Sequence, residues 1–523
     1  MVVRYNFGRD LVKFINWFLE NLERLSFNES LIGESDYEKV GEIIVEEKSE
    51  KAIKEYEEGN LNKALSMFKE IFNKDPQNEK ALYCLSKIYR ELKKWGLSKS
   101  FALKYLKFYG KNPIILEIIG DVNFFEGDYS RAQKNYSKAL KLVKDNDLQE
   151  KIKNKLRNTT KKAREVEKFT RIALIVAEGV DDFTDDIVEG LSNYFWVRKF
   201  TVAKNRTLFH YLLVKGLSRN ILNKSVYKLL LKLYPSILKK AMKWSDIIWV
   251  EWASNEAVAA SYLKNKSKKL FIRLHRYEAF EHHPFLIDWK KVDKIIFVSA
   301  FMKKVLEDRG IKINGEKSKV IYNGVDLQRF EFRPRDNGFD IGWVAHIIPR
   351  KNLHMALEIV KKLSEEDNRY KLHVAGDFPD LMYERYIKHL IKAMDLESNV
   401  ILYGWVDDIA KWWDGKNYLL STSIHESFGY NIVEAMVRGI KPVIHNFDGA
   451  EELYEEEFLF NNIDEAVEKI RTGSYDSAYY REYIKNKKWT LENQVEEFKS
   501  LVEELAQQDA YLKFNDEGRF GVL

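Results

Sequence analysis

The chain has little cysteine, and it has no long apolar run. The single cysteine, Cys84, excludes an intrachain disulfide bond and favours a reducing compartment. It lies in a helical apolar pattern, where we expect it to pack in a core. Because no run of about 18 apolar residues is present, no membrane-spanning helix is predicted. The first residues lack the apolar core of a signal peptide, so we expect a cytoplasmic protein.

Acidic residues are absent between Glu189 and Asp246, whereas this segment contains twelve lysines and arginines. Leucine and isoleucine are interleaved with these cations as in basic amphipathic helices. The pattern suits an anionic surface at the inner face of the membrane, or a phosphate-bearing lipid. A helical insertion whose lysines are only solvated is an equal alternative. Nucleic acid is not expected as a partner, because no nucleic-acid-binding module accompanies the charge.

A length of 523 residues predicts about three domains with additional segments. In chain order the predictions are an amphipathic helical segment (1–35), helical repeats (36–165), a first α/β domain with the basic insertion (166–335), a second α/β domain (336–478), and a crossing helix with a tail (479–523).

The predicted helical region repeats itself. Gly59-Asn60-Leu61 recurs as Gly127-Asp128-Tyr129, and the two are 68 residues apart, twice the tetratricopeptide period of about 34 residues. Ala64 in the first copy matches Ala132 in the later copy. The region therefore resembles about three tetratricopeptide repeats, and this resemblance implies a concave surface that binds a protein partner. A structural support or a dimerisation arm is an equal alternative.

The remainder alternates short apolar runs with helical patterns, which is typical of an α/β fold with parallel sheets. The predicted strands lie in two groups, over 172–177, 247–252, 270–275, 295–299 and 320–326, and over 339–344, 371–376, 400–406, 418–420 and 442–444.

Residues 421–436 stand between two of these strands and contain most of the chemistry. The loop follows the predicted strand 418–420 and precedes a predicted helix that ends at Gly439. It therefore lies at the carboxyl end of a parallel strand, where α/β sheets bind ligands. Gly429 allows close approach of the backbone to a ligand, and the free N–H groups of the helix start suit a phosphate. Glu426 and Glu434 would repel a phosphate, but each carboxylate can accept hydrogen bonds from sugar hydroxyls. These features together predict a nucleotide-sugar site; a capped helix with two solvated carboxylates is the alternative.

The pattern Glu426-x7-Glu434, with Phe428-Gly429 between the acids and Ala435-Met436 after them, resembles the signature of the family-four retaining glycosyltransferases. The resemblance implies the GT-B fold, which has two facing Rossmann-like domains. It implies that Glu426 faces the donor sugar and that Glu434 holds the ribose. The backbone of Phe428, Gly429 and Tyr430 would touch the diphosphate.

Two further catalytic positions follow from this resemblance. His275, at the end of a predicted strand, corresponds to a histidine beside the reacting carbon. Lys351 matches a lysine that stabilises the leaving diphosphate, whereas His346 stands where the family has an arginine. Arg350 could substitute for that arginine from the neighbouring position.

Other loops agree with the family in part. Gly376 would allow close nucleotide approach, and Trp405 lies where the base is seated. Gly179 occupies the place of a Gly-Gly loop, although acidic residues follow it. Tyr322 replaces the proline of the turn between the two domains. Gly449-Ala450-Glu451-Glu452 resembles a loop near the donor sugar.

The sequence therefore predicts a retaining, metal-independent glycosyltransferase that uses a nucleotide-diphospho-sugar and needs no further cofactor. No metal is expected because Lys351 and helix N-termini can supply the positive charge. The acceptor would be a hydroxyl group of a glycan, a lipid-linked molecule or a protein. The alternative is a non-catalytic repeat scaffold with a transferase-like domain, suggested by His346 and by the altered Gly179 loop.

Overall fold

The structure is a computed structural model, and it describes residue 46 and residues 48–177, 184–202 and 236–518. Three predictions lie wholly or mostly outside these residues: the N-terminal amphipathic helix, the Gly179 loop and the basic insertion. The chain divides into two compact units, Met1–Ile118 and Ile119–Leu523.

The described part of the first unit is helical. Its elements are α1 (48–57), α2 (Leu61–Lys74), α3 (Glu79–Glu91), α4 (Trp95–Tyr109) and the start of α5 (Pro113–Phe125). Small and large apolar side chains alternate in its core, as where Ala64 and Phe68 of α2 pack with Leu85 of α3. Cys84 is buried in the same core. The assignment to tetratricopeptide repeats remains a prediction.

The second unit begins within α5 and continues with two helices that pack beside an α/β region. They are α6 (Tyr129–Leu140) and α7 (Asn146–Val166). The turn before α6 is bonded to the strand at 196–202, because the Lys199 amide donates to the Glu126 carbonyl at 2.9 Å. The Trp196 indole donates to the Gly127 carbonyl at 3.0 Å. The last helical pair therefore belongs to the compact unit of the sheets, and the domain boundary placed at 165/166 remains a prediction.

The first sheet has six parallel strands in the order β2-β1-β3-β4-β5-β6. They are β1 (Arg171–Ala177), β2 (Trp196–Val202), β3 (Ile247–Glu251), β4 (Lys269–Leu274), β5 (Lys294–Phe297) and β6 (Ser318–Val320). Its helices are α8 (Asp185–Leu191), α9 (Ser236–Trp244), α10 (Asn255–Leu263), α11 (Arg276–Phe280) and α12 (Ala300–Asp308). β3 and β4 are buried along their whole length, as parallel strands covered on both faces must be.

The second sheet is also parallel, in the order β12-β11-β10-β7-β8-β9. Its strands are β7 (Asp340–Val344), β8 (Lys371–Ala375), β9 (Val400–Gly404), β10 (Tyr418–Ser421), β11 (Lys441–His445) and β12 (Leu459–Phe460). The helices that follow are α13 (Leu353–Glu366), α14 (Leu381–Ala393), α15 (Ile409–Trp412), α16 (Tyr430–Val437), α17 (Ala450–Leu453), α18 (Ile463–Arg471) and α19 (Ser477–Asn486). The prediction of an α/β protein with two parallel sheets is confirmed.

The final helix, α20 (Leu491–Gly518), returns to the first sheet. Phe498 stacks on Trp249 of β3 with ring centroids 4.9 Å apart, and Leu501 is buried in the same cluster. The α/β region thus has two halves, one around each sheet, and this packing attaches the end of the second half to the first half. Among the described residues, none of the helices combines the length and the apolar character that crossing a bilayer requires.

Candidate active site

The loop between β10 and α16 forms the centre of the site. Gly429 has a φ of +78°, which disfavours any residue with a Cβ, and it directly precedes α16. No side chain of the described residues caps this helix. The amides of Ser427, Phe428 and Gly429 have no hydrogen-bond acceptor in the part of the chain that the structure describes. Uncapped amides at a helix start are available to an anion.

Glu426 and Lys351, predicted for the same site, are in direct contact. The Lys351 ammonium forms an ion pair with Glu426, and the Ser423 hydroxyl donates to the same carboxylate oxygen at 2.8 Å. The Lys351 carbonyl accepts a bond from the Thr422 hydroxyl at 3.0 Å. Glu426 is only 9% exposed, so this pair is held where water screens its charges little. The loop after β7 and the loop after β10 thus form one rigid arrangement.

Glu434 lies one helical turn after Tyr430, on the same face of α16. It is partly buried, and it has no hydrogen bond or ion pair with any described residue. Burial raises the pKa of its carboxyl group to about 7, and the positive charge of Arg329 opposes this rise only weakly. Burial also raises the pKa of the Tyr430 hydroxyl above its usual range. A carboxylate without a partner beside the helix start is available to ligand hydroxyls.

The two halves of the α/β region touch beside this loop. The His425 ring contacts Phe280 of α11, with ring centroids 5.1 Å apart, and Phe301 at the start of α12, with ring centroids 6.0 Å apart. Its Nε2 atom is buried and has no partner among the described residues. Burial, with Arg276 and Arg350 nearby, lowers the pKa of His425, so the ring is neutral. The carboxyl ends of strands from both sheets therefore meet at residues 424–428.

His275 is less accessible than the resemblance implies. It directly follows β4 and is only 4% exposed, with its ring stacked on Trp252 at 4.2 Å. Burial lowers the pKa of His275 despite the Glu251 carboxylate 2.7 Å from Nε2. Arg273, His275 and Trp249 outweigh the effect of burial on Glu251 and hold its pKa below the usual range. Neutral His275 therefore donates its Nε2–H to ionised Glu251, which fixes the ring.

Glu278 is a second buried carboxyl group beside this cluster. One of its oxygens accepts the Ala253 amide at 2.8 Å, and the other has no partner among the described residues. Burial raises the pKa of Glu278 to about 8. At neutral pH the group is therefore protonated, and its ionisation would place a second negative charge near Glu251.

We expect Glu278→Gln to stabilise the protein above pH 8. The folded-state pKa of about 8 exceeds the ordinary value of 4.5, so the stabilising contribution of the bound proton is complete below 4.5 and is lost as pH rises through 8. Glutamine keeps the acceptor and cannot ionise. The variant should gain about 2 to 4 kcal/mol relative to wild type between pH 5 and pH 9. Thermal unfolding across this range measures the gain, and parallel curves for the two proteins would contradict it.

Trp405, predicted to seat the base, directly follows β9, and His346 from the loop after β7 lies beside it. His346 forms a 2.5 Å contact with Asp377, and its ring lies 5.5 Å from the exposed Trp405 ring. His346 therefore lies beside Trp405 and Asp377, whereas the family's arginine at this position is expected at the diphosphate. A Cβ on Gly376 would lie 1.8 Å from the Ala345 carbonyl oxygen, so packing within the chain is sufficient to explain this glycine.

Phe428 and Glu452 have structural contacts that the sequence did not indicate. The Phe428 side chain is 1% exposed and packs on Trp489, which leaves only its backbone for a ligand. Glu452, expected near the donor sugar, instead accepts the Ala300 and Phe301 amides at 2.6 and 2.5 Å. It also accepts the Tyr322 hydroxyl at 2.8 Å. The sequence marked Tyr322 as a departure from the family's turn, but it did not indicate Glu452 as its partner.

The family resemblance implies that Arg276, which directly follows His275, lies along the acceptor side of the site. It begins α11, is partly buried, and has no hydrogen bond or ion pair within the described ranges. The Arg350 side chain is also partly buried and also has no hydrogen bond or ion pair within these ranges. Among the described residues, no group of three or more His, Cys, Asp or Glu side chains is arranged to hold a metal ion.

The second half of the α/β region matches a known family. Residues 325–490 match the sequence profile described as "Glycosyl transferases group 1". A poly(ribitol-phosphate) alpha-N-acetylglucosaminyltransferase of Staphylococcus aureus is 27% identical over 104 residues, 20% of this chain and 20% of that protein. An uncharacterized glycosyltransferase of Methanocaldococcus jannaschii, MJ1607, is 26% identical over 160 residues, 27% of this chain and 40% of its own. The matched segments thus span less than half of these relatives.

The fold also matches a solved structure. Anabaena HepE, crystallised with UDP and glucose, superposes with a TM-score of 0.50 at 18% identity, over 64% of this chain and 100% of that protein. This likeness shows the fold, which is GT-B with two parallel sheets. Glu426, Lys351, Gly429 and Glu434 all lie within the segment that matches the family profile.

Proposed function

We propose that this protein is a retaining glycosyltransferase that moves a sugar from a nucleotide-diphospho-sugar to a hydroxyl acceptor. The main observation behind the proposal is the Lys351–Glu426 pair beside the uncapped start of α16. It combines a cation and free amides for a diphosphate with a carboxylate for sugar hydroxyls. The match of residues 325–490 to a glycosyltransferase family supports the same function.

The diphosphate would lie against the start of α16. The amides of Phe428 and Gly429 would donate to it, and the positive end of the helix would favour its charge. Lys351 and Arg350 would stabilise the negative charge that grows on the leaving phosphate as its bond to the sugar breaks. Arg350 would thereby supply the cation that the family places at the position of His346. We propose that these groups act without a metal ion.

Glu426 would hold the donor sugar rather than act as a base. Its carboxylate already accepts from Lys351 and Ser423, and the remaining acceptor positions could bind sugar hydroxyls. His275, held by Glu251, would form the floor of the sugar site from the first sheet. In the proposed reaction the acceptor oxygen attacks the face that the diphosphate leaves. The acceptor's proton passes to a phosphate oxygen of the leaving group.

The nucleoside would extend from the helix start toward β9. Glu434 would accept hydrogen bonds from the ribose hydroxyls, and Tyr430 lies one turn before it on the same face. The exposed Trp405 ring, with His346 beside it, would stack against the base. Gly376 and the Gly179 loop would border the nucleotide; the latter lies outside the described residues.

The acceptor is proposed to be a hydroxyl of a glycan, a lipid-linked molecule or a protein. A protein partner bound by the helical repeats and a membrane surface bound by the basic insertion remain proposals. The non-catalytic scaffold is not favoured. Its main motive was the missing arginine at His346, and the unpaired Arg350 side chain offers a replacement charge.

A panel of uridine, guanosine and adenosine diphospho-sugars tests the proposal. We expect one donor class to release its nucleoside diphosphate slowly to water and faster when acceptor hydroxyls are supplied. Glu426→Ala should abolish this release while keeping the fold. Glu397→Ala, which removes an exposed carboxylate between α14 and β9, should retain it. Binding of a nucleoside diphosphate without any turnover would instead support the scaffold.

The proposed role of Glu434 predicts that donor affinity depends on pH. Ribose hydroxyls donate to the ionised carboxylate, so binding should weaken as pH falls below the pKa of about 7. Between pH 8 and pH 6 the affinity for the nucleoside diphosphate should fall about fivefold to tenfold more in wild type than in Glu434→Gln. The variant reports the titration of the ligand itself, and calorimetry measures both. Identical pH profiles would refute the role.

A further inference from the structure

The short helix α11 faces the active-site loop of the other half. Phe280 packs edge-on against the His425 ring, with centroids 5.1 Å apart and ring planes at 88°. Arg276 precedes Phe280 by four residues, so the two side chains leave the same face of the helix, one turn apart. Arg276 is therefore directed toward the loop that contains His425 and Glu426.

Arg350 approaches the same loop from the second sheet. Its carbonyl accepts the Ile424 amide at 3.0 Å, which holds its backbone against residues 424–426. The two guanidinium groups thus come close to the same loop, one from each half of the α/β region. Both are partly buried, and within the described ranges neither has a hydrogen bond or an ion pair.

The charges around these arginines are not balanced by the protein. Burial and then the neighbouring Arg350 lower the pKa of Arg276, and Glu426 and Glu278 only partly oppose them. Glu426 is already bonded to Lys351 and Ser423, and Glu278 is protonated at neutral pH. Two like charges that are kept close and partly desolvated favour the binding of an anion between them.

We propose that Arg276 binds the diphosphate of the donor from the first sheet and, with Arg350 and Lys351, completes a three-cation site. This inference rests on the proposed function, because the anion is the donor's own diphosphate. Side chains from both halves would then hold one ligand. A nucleoside diphosphate would draw the halves together, whereas a nucleoside monophosphate would engage mainly the second sheet.

Calorimetric titration of the full chain with UDP, GDP and ADP, and with their monophosphates, tests this inference. The variants are Arg276→Gln and Arg276→Lys. The control is Lys312→Gln, which removes one positive charge from an exposed site after α12. Because Arg276→Gln removes a charge-assisted contact, this variant should bind each diphosphate about 10- to 100-fold more weakly than wild type. Monophosphate affinity should change by less than about twofold, and Arg276→Lys should recover part of the loss.

The outcomes separate this inference from the proposed function. Unchanged diphosphate affinity in Arg276→Gln would overturn the role of Arg276, and so would an equal loss for diphosphate and monophosphate. Unchanged diphosphate affinity with a raised KM for an acceptor would assign Arg276 to an anionic acceptor and also overturn it. Wild-type protein that binds none of the three diphosphates would overturn the proposed function itself.

Discussion

Replacing Lys351 with methionine is expected to lower kcat about 10²- to 10³-fold, with a smaller change in KM for the donor. Methionine preserves most of the volume of lysine but removes the charge that pairs with Glu426. Because negative charge grows on the diphosphate only as the sugar bond breaks, the lost stabilisation should appear mainly in the transition state. Release of nucleoside diphosphate from the donor identified in the panel measures the effect.

Lys362→Met is the matched control for this change. Lys362 lies on α13 and pairs with Asp464 at an exposed site, so its replacement should leave kcat unchanged. A Lys351→Met variant that keeps kcat within about threefold of wild type would show that Lys351 does not act on the leaving group.

Glu251→Ala is expected to destabilise the first sheet by about 3 to 5 kcal/mol. Glu251 is 1% exposed and accepts from Arg273 at 3.1 Å, from His275 at 2.7 Å and from the Trp249 indole at 2.8 Å. Arg273 is fully buried, so removal of the carboxylate leaves a buried guanidinium without its ion pair to Glu251 at 3.1 Å. The denaturation midpoint and the hydrogen exchange of β3 and β4 measure the loss.

Glu307→Ala provides the comparison for a surface ion pair. Glu307 pairs with Lys303 at 3.8 Å on α12, and its side chain is 44% exposed. Its removal should cost less than about 1 kcal/mol. Equal destabilisation by the two substitutions would contradict the account of the Glu251 cluster.

The central segment of the candidate site could be located from the sequence because it is local. Glu426, Gly429 and Glu434 stand on one strand–loop–helix segment, and the apolar runs on either side determine where the loop must lie. The parallel sheets were predictable for the same reason, since buried strands such as β1 contain a continuous apolar run, here Ile172 to Val176. Lys351 came from the family pattern, and its pair with Glu426 confirms that the two loops meet.

Contacts between the halves could not be predicted. Glu452 binds amides about 150 residues before it in the chain, and no local pattern encodes such a pairing. Arg276 stands on a helix of five residues, too short to show periodicity. Its position relative to Arg350 depends on how two separate sheets pack. The same long-range packing explains Gly376, whose missing Cβ makes room for the Ala345 carbonyl.

The substitution at His346 is a departure from the family motif whose contacts the sequence could not indicate. From the sequence it suggested a weakened site. In the structure His346 is paired with Asp377 near Trp405, while Arg350 remains unpaired close to the active-site loop. Under the proposed function, Arg350, four residues further along the chain, would supply the charge that the chemistry requires.

A crystal structure of the full chain with the nucleoside diphosphate selected by the panel tests the central claim most directly. We predict that the diphosphate lies on the amides at the start of α16 beside Lys351. The ribose hydroxyls should lie within about 3 Å of Glu434. A nucleotide bound away from α16 would contradict the proposed site. So would a complex in which the ribose does not contact Glu434 and the diphosphate does not contact Lys351.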